Sequence, residues 1–529
     1  MPTLEQTPGV FVVEQDAFPN AVVEVVTAVP VFIGFTEKAE VNGATLHNQP
    51  TLISSLSEFQ ELFGFGPQPM FKMSSDAVGN SSGQAGNTAA VDHRMNSLLM
   101  PKANAFPGVA EVTINETTYS FEQTSGQQLL YYSLRMFFGN GGDSCFIVSV
   151  GSYKDQLGKK ALLDGLIPLV KEPMPTMVVV PDAVLLGEKD CSEVQRAMLA
   201  HCKKMGNRMA ILDVWGGWHD IGEGAVEKFR NSIGTSGLKY GAAYYPWLES
   251  TVVSDRDLGV QHIENKEALA KLLAPELDPH GETIELLKSV KFDAAQLHDL
   301  NNTQSDRLRI INDSIRAQSV VFKNIISEIR DQLNLIPPSS AMAGIYTQVD
   351  QQRGVWKAPA NVSVNMVIRP AVSISHDDQE GLNVTPQGKS INAIREFVGA
   401  GVLVWGARTL DGNSQDWRYI NVQRTLMMLE ESIRLAAKDF VFEPNTANSW
   451  ITLKRMISNF LTDIWVRGGL AGARLEDAFT VRVGLGETMT PEDIQEGIMR
   501  ITAFIAPLRP AEFIEITFQQ QMQEELATN

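Results

Sequence analysis

Residues 135–150 read RMFFGNGGDSCFIVSV, and the fold is decided there. Leu130, Leu134 and Phe138 recur at helical spacing just before and into this stretch. The run Gly139–Asn140–Gly141–Gly142 predicts a stop. CFIVSV then follows as a continuous apolar run without polar alternation, the pattern of a strand buried on both faces of a helix-covered parallel sheet. Three further runs of the same kind come next: TMVVV (176–180), MAILDV (209–214) and YGAAYY (240–245), each separated by a helical stretch. The helix after Glu188 ends near Gly206, directly before MAILDV, as a right-handed strand–helix–strand unit requires.

Toward the N-terminus, a second apolar run at 22–35 follows Pro19–Asn20. Before it, Val10, Phe11, Val12 and Val13 follow Pro8–Gly9 as a β-rich strand with nothing local to pair with. Residues 64–90 are rich in Gly, Ser, Asn and Pro and read as a long surface excursion. Toward the C-terminus, 251–336 carries 14 acidic and 10 basic residues, denser than the 20% charged residues of the whole chain, and predicts an exposed helical insertion. Within it Leu308, Ile311, Ile315, Phe322, Ile326, Ile329 and Leu333 predict one apolar stripe on one long helix, stopped by Pro337–Pro338. Beyond Ala341 the pattern is α+β. Helices are expected at 391–398, 419–440, 449–466 and 491–504, and strands at 402–406, 479–483 and 513–518.

With 529 residues the chain is long enough for several domains. Its 44 Lys and Arg against 62 Asp and Glu give a formal charge of −18, which argues against a phosphate backbone as partner. The apolar run at 25–35 is interrupted by Thr27, Pro30 and Gly34 and is too short to span a bilayer, and the first ten residues lack the basic and apolar pattern of a signal peptide. No nucleic acid and no membrane insertion are therefore expected. Cys145, Cys191 and Cys202 form no CxxC pair and suit a chain folded in a reducing cytoplasm.

No reactive constellation emerges. Gly234–Thr235–Ser236–Gly237 looks like the turn around a serine nucleophile, but Asp213, His219 and Ser236 lie within 24 residues and cannot come from three converging elements. Gly388–Lys389–Ser390 looks like the tail of a phosphate-binding loop, yet Asn383 stands where its first glycine belongs, so Ser390 is expected to cap a helix at INAIREF instead. The glycines at 139–142 precede a strand rather than a helix N-terminus and read as a turn, not an anion cradle. The eight histidines are scattered, and His201 and Cys202, being adjacent, share no helix face, so no metal site is expected. Glu430 and Glu431, on a helix with Arg424, Arg434 and Lys438, read as an ion-paired face. Catalytic, cofactor and metal residues are all expected to be absent.

Several blocks, in order, resemble the contractile tail sheath family of phages and related injection systems. They are PGVFVVE (8–14) with PVFIGFTEKA (30–39), RMFFGNGGDSCFIVSV (135–150), IPPSSAMAGIYTQVDQQRGVWKAPAN (336–361), INAIREF with GVLVWGARTL (391–410), and WRYINVQR with VFEPN (417–445). AFTVRVG and APLRPAEFIEI follow near the end. The family usually has two arginines where this chain has Gln423–Arg424, and 251–336 matches nothing in it. The resemblance implies a subunit that polymerises as stacked six-fold rings around an inner tube, between a baseplate and a cap or terminator protein. It contracts from a metastable extended form without consuming nucleotide or needing a cofactor. Such a subunit is made in the bacterial cytoplasm and acts in a phage tail or injection particle.

The expected fold class is α/β plus α+β and multidomain. It comprises an arm at 1–20, a sheath core from 21–40 and 341–510, a surface insertion at 41–126, and a non-catalytic parallel-sheet α/β domain of subtilisin-like topology at 127–250. A helical insertion at 251–336, on the outer face, and a second arm at 511–529 complete it. Val10, Phe11, Val12, Val13, Phe513, Ile514, Ile516 and Phe518 are the expected inter-subunit arm residues, added to an acceptor sheet at Phe479, Val481 and Val483. Two termini paired with each other within one monomer are the alternative. On the 449–466 helix, Trp450, Leu453, Ile457, Phe460, Leu461 and Ile464 form the buried stripe, leaving Lys454 and Arg455 to face the tube or simply solvent. A non-contractile helical shell and an α/β hydrolase-type enzyme are the competing functions.

Overall fold

A computed structural model describes residues 21–76, 109–114, 117–277, 282–290, 302–383 and 386–513. Its centre is an eight-stranded sheet in the order Gly401–Val404, Asn392–Phe397, Gly241–Tyr245, Met209–Asp213, Met177–Val179, Pro30–Thr36, Cys145–Ser152 and Thr51–Ile53. The six inner strands run parallel, and the outermost strand on each side is antiparallel. Numbered along the chain, the parallel strands lie in the order 2-1-3-4-5-6, with a switch point between Pro30–Thr36 and Met177–Val179. The sheet thus draws in 30–36 and 392–404, on either side of the 127–250 span from which it was read.

Burial on both faces explains the unbroken apolar runs. Along Pro30–Thr36, Phe32 points into one core, while Val31 and Ile33 point into the other. The first core is covered by helices Leu130–Gly139 and Ser339–Arg353, through Leu134, Phe137, Met342 and Ile345. The second is covered by Glu188–Met205 and Ala225–Ser232, through Val194, Leu199, Val226 and Phe229. Glu188–Met205 ends on Gly206 in the left-handed region, φ 76°, which fits a glycine.

Three helix expectations are corrected. Residues 391–398 form the strand Asn392–Phe397: Ile391, Ala393 and Ile394 are fully buried, and the strand runs parallel to Gly241–Tyr245. Ser390 caps no helix and donates to Asn383 O at 2.6 Å. At 491–504 only Pro491–Gln495 is helical; Gly497, φ 73°, lies just beyond it, and Thr502–Ile505 is a strand. The long 308–333 helix is two, Asn302–Gln318 and Val320–Leu333, because Ser319 turns out of the helix and caps Phe322 N. Its stripe is nonetheless buried, with all seven positions in the core.

The insertions contact each other. Met70–Asp76, Thr117–Ser125 and Val109–Ile114 form an antiparallel sheet, and the Asn265 side chain bonds both backbone groups of Met73. A separate third core holds helices Ile420–Ala437 and Ala447–Val466 with the strands Phe479–Arg482 and Thr502–Ile505.

Candidate assembly interface

The Ile420–Ala437 helix is the spar of this interface. Its 18 residues span about 27 Å at ~1.5 Å per residue. Residues 21–29 run along it as a strap, head to tail: Val25 N donates to Ser432 Oγ at 3.0 Å, and Thr27 lies by Arg424. Arg424 and Asp350, each 4% exposed, form a two-pronged ion pair at 2.6 and 2.8 Å. The same pair holds the strap, since Arg424 donates to Thr27 O and the Thr27 hydroxyl donates to Asp350. Arg424 also lies over the Tyr346 ring, whose hydroxyl meets that of Tyr244 in the central sheet at 2.8 Å. Nearer the start of the strap, Glu24 pairs with Arg467 at 2.6 Å.

The C-terminal segment is fastened at the other end of the spar. Asn421 Nδ2 donates to Leu508 O, and Arg408, 4% exposed, grips Glu512 through Nε and Nη2. The Tyr419 hydroxyl donates to Glu512 at 3.3 Å. The hydrogen bonds to Glu512 raise the Arg408 pKa against the opposing effect of burial. The described chain therefore leaves the body at two places separated by one helix length. No local pattern discloses Arg408–Glu512, Arg424–Asp350 or Arg467–Glu24, although Arg408 lies within WGARTL and Arg424 within WRYINVQR.

Phe479–Arg482 pairs antiparallel with Thr502–Ile505, with Phe479 opposite Ile505 and Val481 opposite Ala503. Val481 and Val483 are buried in the core with Leu453, Ile457 and Leu461, and Phe479 packs on it half-buried. Such a ribbon is stable only when packed on something larger. Among the described residues the sheet has two strands, so each keeps one edge without a strand neighbour. Of the expected arm residues, Phe513 is 79% exposed. Val10, Phe11, Val12, Val13, Ile514, Ile516 and Phe518 lie outside the described residues.

The Ala447–Val466 helix buries Leu453, Ile457, Phe460, Leu461 and Ile464, with Trp450 packed at the margin. Lys454 is half-exposed, 3.8 Å from Glu487; Arg455 is exposed and has no ion pair among the described residues.

The positions where an α/β fold takes ligands are filled from within. Such sheets bind at the carboxyl ends of their strands, beside the switch point. There the buried Asp182 carboxylate accepts from Leu129 N at 2.6 Å, at the start of the Leu130–Gly139 helix, and from Phe35 N at 3.1 Å. A Cβ on Gly34 would lie 2.7 Å from Asp182 Oδ2. On the next strand, buried Asp213 accepts from Ser339 N and Oγ at 2.8 and 2.6 Å, at the start of Ser339–Arg353. Each carboxylate complements the positive end of a helix, yet desolvation pushes Asp182 up to about 6 and Asp213 up to about 7.

The remaining suspects are likewise engaged separately: His219 pairs with Glu223, Ser236 accepts from Lys203, and Lys389 is turned onto Arg230 O. All three cysteines are buried and free, and no metal-ligating cluster occurs among the described residues. No helix among them is long and apolar enough to cross a membrane.

Spar, anchored segments and open-edged ribbon make up a candidate assembly surface, and the buried polar groups around them fix chain paths. Comparison with known proteins is consistent with this. Residues 413–521 match the phage tail sheath C-terminal domain. A tail sheath protein of Burkholderia phage BcepMu is 28% identical over 176 residues, and that of Vibrio phage KVP40 is 25% identical over 201. These stretches cover 32% and 37% of this chain but only 35% and 28% of those relatives. The helical sheath of the anti-feeding prophage in its contracted state is similar over 98% of this chain and 100% of that one, with 25% identity and a TM-score of 0.59. By these likenesses the chain is similar to contractile tail sheath proteins, and its 413–521 segment to their C-terminal domain.

Proposed function

We propose that this chain is the structural subunit of a contractile sheath, polymerising helically around an inner tube and contracting to drive that tube through a target envelope. The observation that carries the reading is the fastening of the strap's start on Ser432, toward one end of the Ile420–Ala437 helix, and of the 508–512 segment by Asn421 and Arg408 at its other end, beside a ribbon with open edges. Arms at 1–20 and 511–529 would each add to the sheet of a neighbouring copy. Main-chain bonds would supply affinity, and alternate side chains register. Five such bonds at about 0.5–1.5 kcal/mol each amount to a few kcal/mol per arm before ordering costs. A contact between unlike surfaces that does not close on itself grows as a helix.

In this reading six copies form each ring, with a baseplate at one end and a cap or terminator at the other, in a phage tail or injection particle assembled from the bacterial cytoplasm. The α/β unit is a non-catalytic scaffold of subtilisin-like topology in this reading, built on parallel strands in the order 2-1-3-4-5-6. Work comes from the free-energy difference between two packings of the same subunits.

Deleting residues 1–16 tests the arms. The expected product is a folded body that no longer assembles; normal long sheaths from it would refute the assignment. A static shell is distinguished by particle dimensions, because contraction requires two lengths and two diameters before and after triggering.

A further inference from the structure

A groove of about 490 Å³ lies between the strap, the 173–176 loop and the last turns of the Ile420–Ala437 helix. Its wall is mostly apolar, with Glu24, Glu431, Arg434 and Lys438 also in the lining, and open to solvent: Val23 is 75% exposed, Met174 51% and Leu435 39%. The strap belongs to no strand ladder, and a second groove borders its other side, along Val26, which is 65% exposed. A valine-rich extended segment with free flanks invites unwanted pairing.

The described chain begins at this groove, since Ala21 is part of its wall. Twenty residues precede it, among them the four apolar side chains Val10, Phe11, Val12 and Val13. Between them and the groove stand residues 14–20, which include the turn-forming pair Pro19–Asn20. Seven residues reach up to about 23 Å at ~3.3 Å each, enough for 8–14 to double back beside a strap of similar length. A tether this short holds the segment at an effective concentration of roughly millimolar, far above that of another copy in dilute solution.

We propose that in the unassembled subunit residues 10–13 of the same chain occupy this groove, shielding both arm and strap until a neighbouring copy takes the arm. The proposal rests on the arm reading given above and adds a resting site for the arm. Parking of this kind makes spontaneous polymerisation slow, because the arm must leave one apolar site before it enters another.

The test uses the full chain carrying Val12→Cys with Met174→Cys, against a control carrying Val12→Cys with Ile310→Cys, an exposed helical position elsewhere. The native cysteines are buried and do not compete. At submicromolar concentration under mild oxidation, the first pair is expected to form an intrachain disulfide at least tenfold faster than the control. The oxidised chain should not assemble until reduced. Met174→Asp, a change at an exposed site, should shorten the assembly lag several-fold with an unchanged melting temperature. Equal crosslinking rates, or disulfides formed only between chains, would overturn the proposal, as would an unaltered lag. Failure of the arm reading is separately visible: the chain lacking residues 1–16 would then assemble, whatever the crosslinking result.

Discussion

Arg408 and Glu512, 104 residues apart, meet through two guanidinium nitrogens at the last described turn of the chain. Arg408 is 4% exposed and its partner 17%, so neither charge is well solvated. Removing one member of a fully buried pair costs roughly 3–5 kcal/mol, and an amide that still accepts one bond costs less. Glu512→Gln is expected to loosen the 506–512 segment by about 2 kcal/mol while leaving the Ile420–Ala437 helix intact. Hydrogen exchange should accelerate at 506–512 alone; uniform acceleration across the C-terminal core would mean that the pair supports the core rather than the exit.

The crowding at the switch point is testable with two glycines. A Cβ at Gly34 meets Asp182 Oδ2 at 2.7 Å and Leu130 Cβ at 3.0 Å, so Gly34→Ala must displace a buried carboxylate or a core leucine. A loss of about 1–3 kcal/mol is expected from urea denaturation. Gly381, inside the His376–Asn383 helix, has nothing within 4 Å of its added Cβ, and Gly381→Ala should stabilise by about 0.5–1 kcal/mol. Equal effects at the two sites would show that Asp182 does not hold that space.

The buried aspartates give a pH signature of unusual sign. Asp213 titrates at about 7 when folded against 3.8 ordinarily, because desolvation outweighs its bonds from Ser339. Its folded pKa is raised, so its contribution to stability is full below pH 4 and lost as pH rises through 7. Asp213→Asn has no such titration. The stability difference should therefore shift toward the variant by a few kcal/mol between pH 5 and pH 8 in paired urea titrations. His201 and His262, held down to about 4 by burial, are common to both proteins and cancel in the difference. A difference that stays flat with pH would place Asp213 in a solvated setting.

The parallel sheet was legible because strands buried on both faces are near-continuously apolar, and CFIVSV, MAILDV and YGAAYY are so but for Ser149 and Asp213. The same logic failed at INAIREF. There the spacing of Ile391, Ile394 and Phe397 mimics a helix, whereas pairing with Gly241–Tyr245, nearly 150 residues away, and with Gly401–Val404 just beyond it makes it a strand. Ser319 was read through as part of one helix because the apolar stripe keeps its phase across the break. The stripe on Ala447–Val466 was legible residue by residue, since a single packed face imposes its own period. The ion pairs that fasten the chain exits were not, because charge pairing over 74 to 443 residues leaves no local pattern.

The exposed side of that last helix is the place to test contact with a tube. Arg455 is exposed without an ion-pair partner among the described residues, and Lys454 is only 3.8 Å from Glu487 at the surface, a contact worth little in water. Reversing both charges, Lys454→Glu with Arg455→Glu, should therefore change folding stability by less than about 0.5 kcal/mol. If the tube presents carboxylates to this face, the double variant should bind tubes at least tenfold more weakly at low salt. That deficit should shrink as added salt brings the Debye length to about 3 Å near 1 M. Co-sedimentation with preassembled tubes over a salt series reads both effects. Unchanged sedimentation at every ionic strength would assign these two cations to solvent and move the tube contact elsewhere on the subunit.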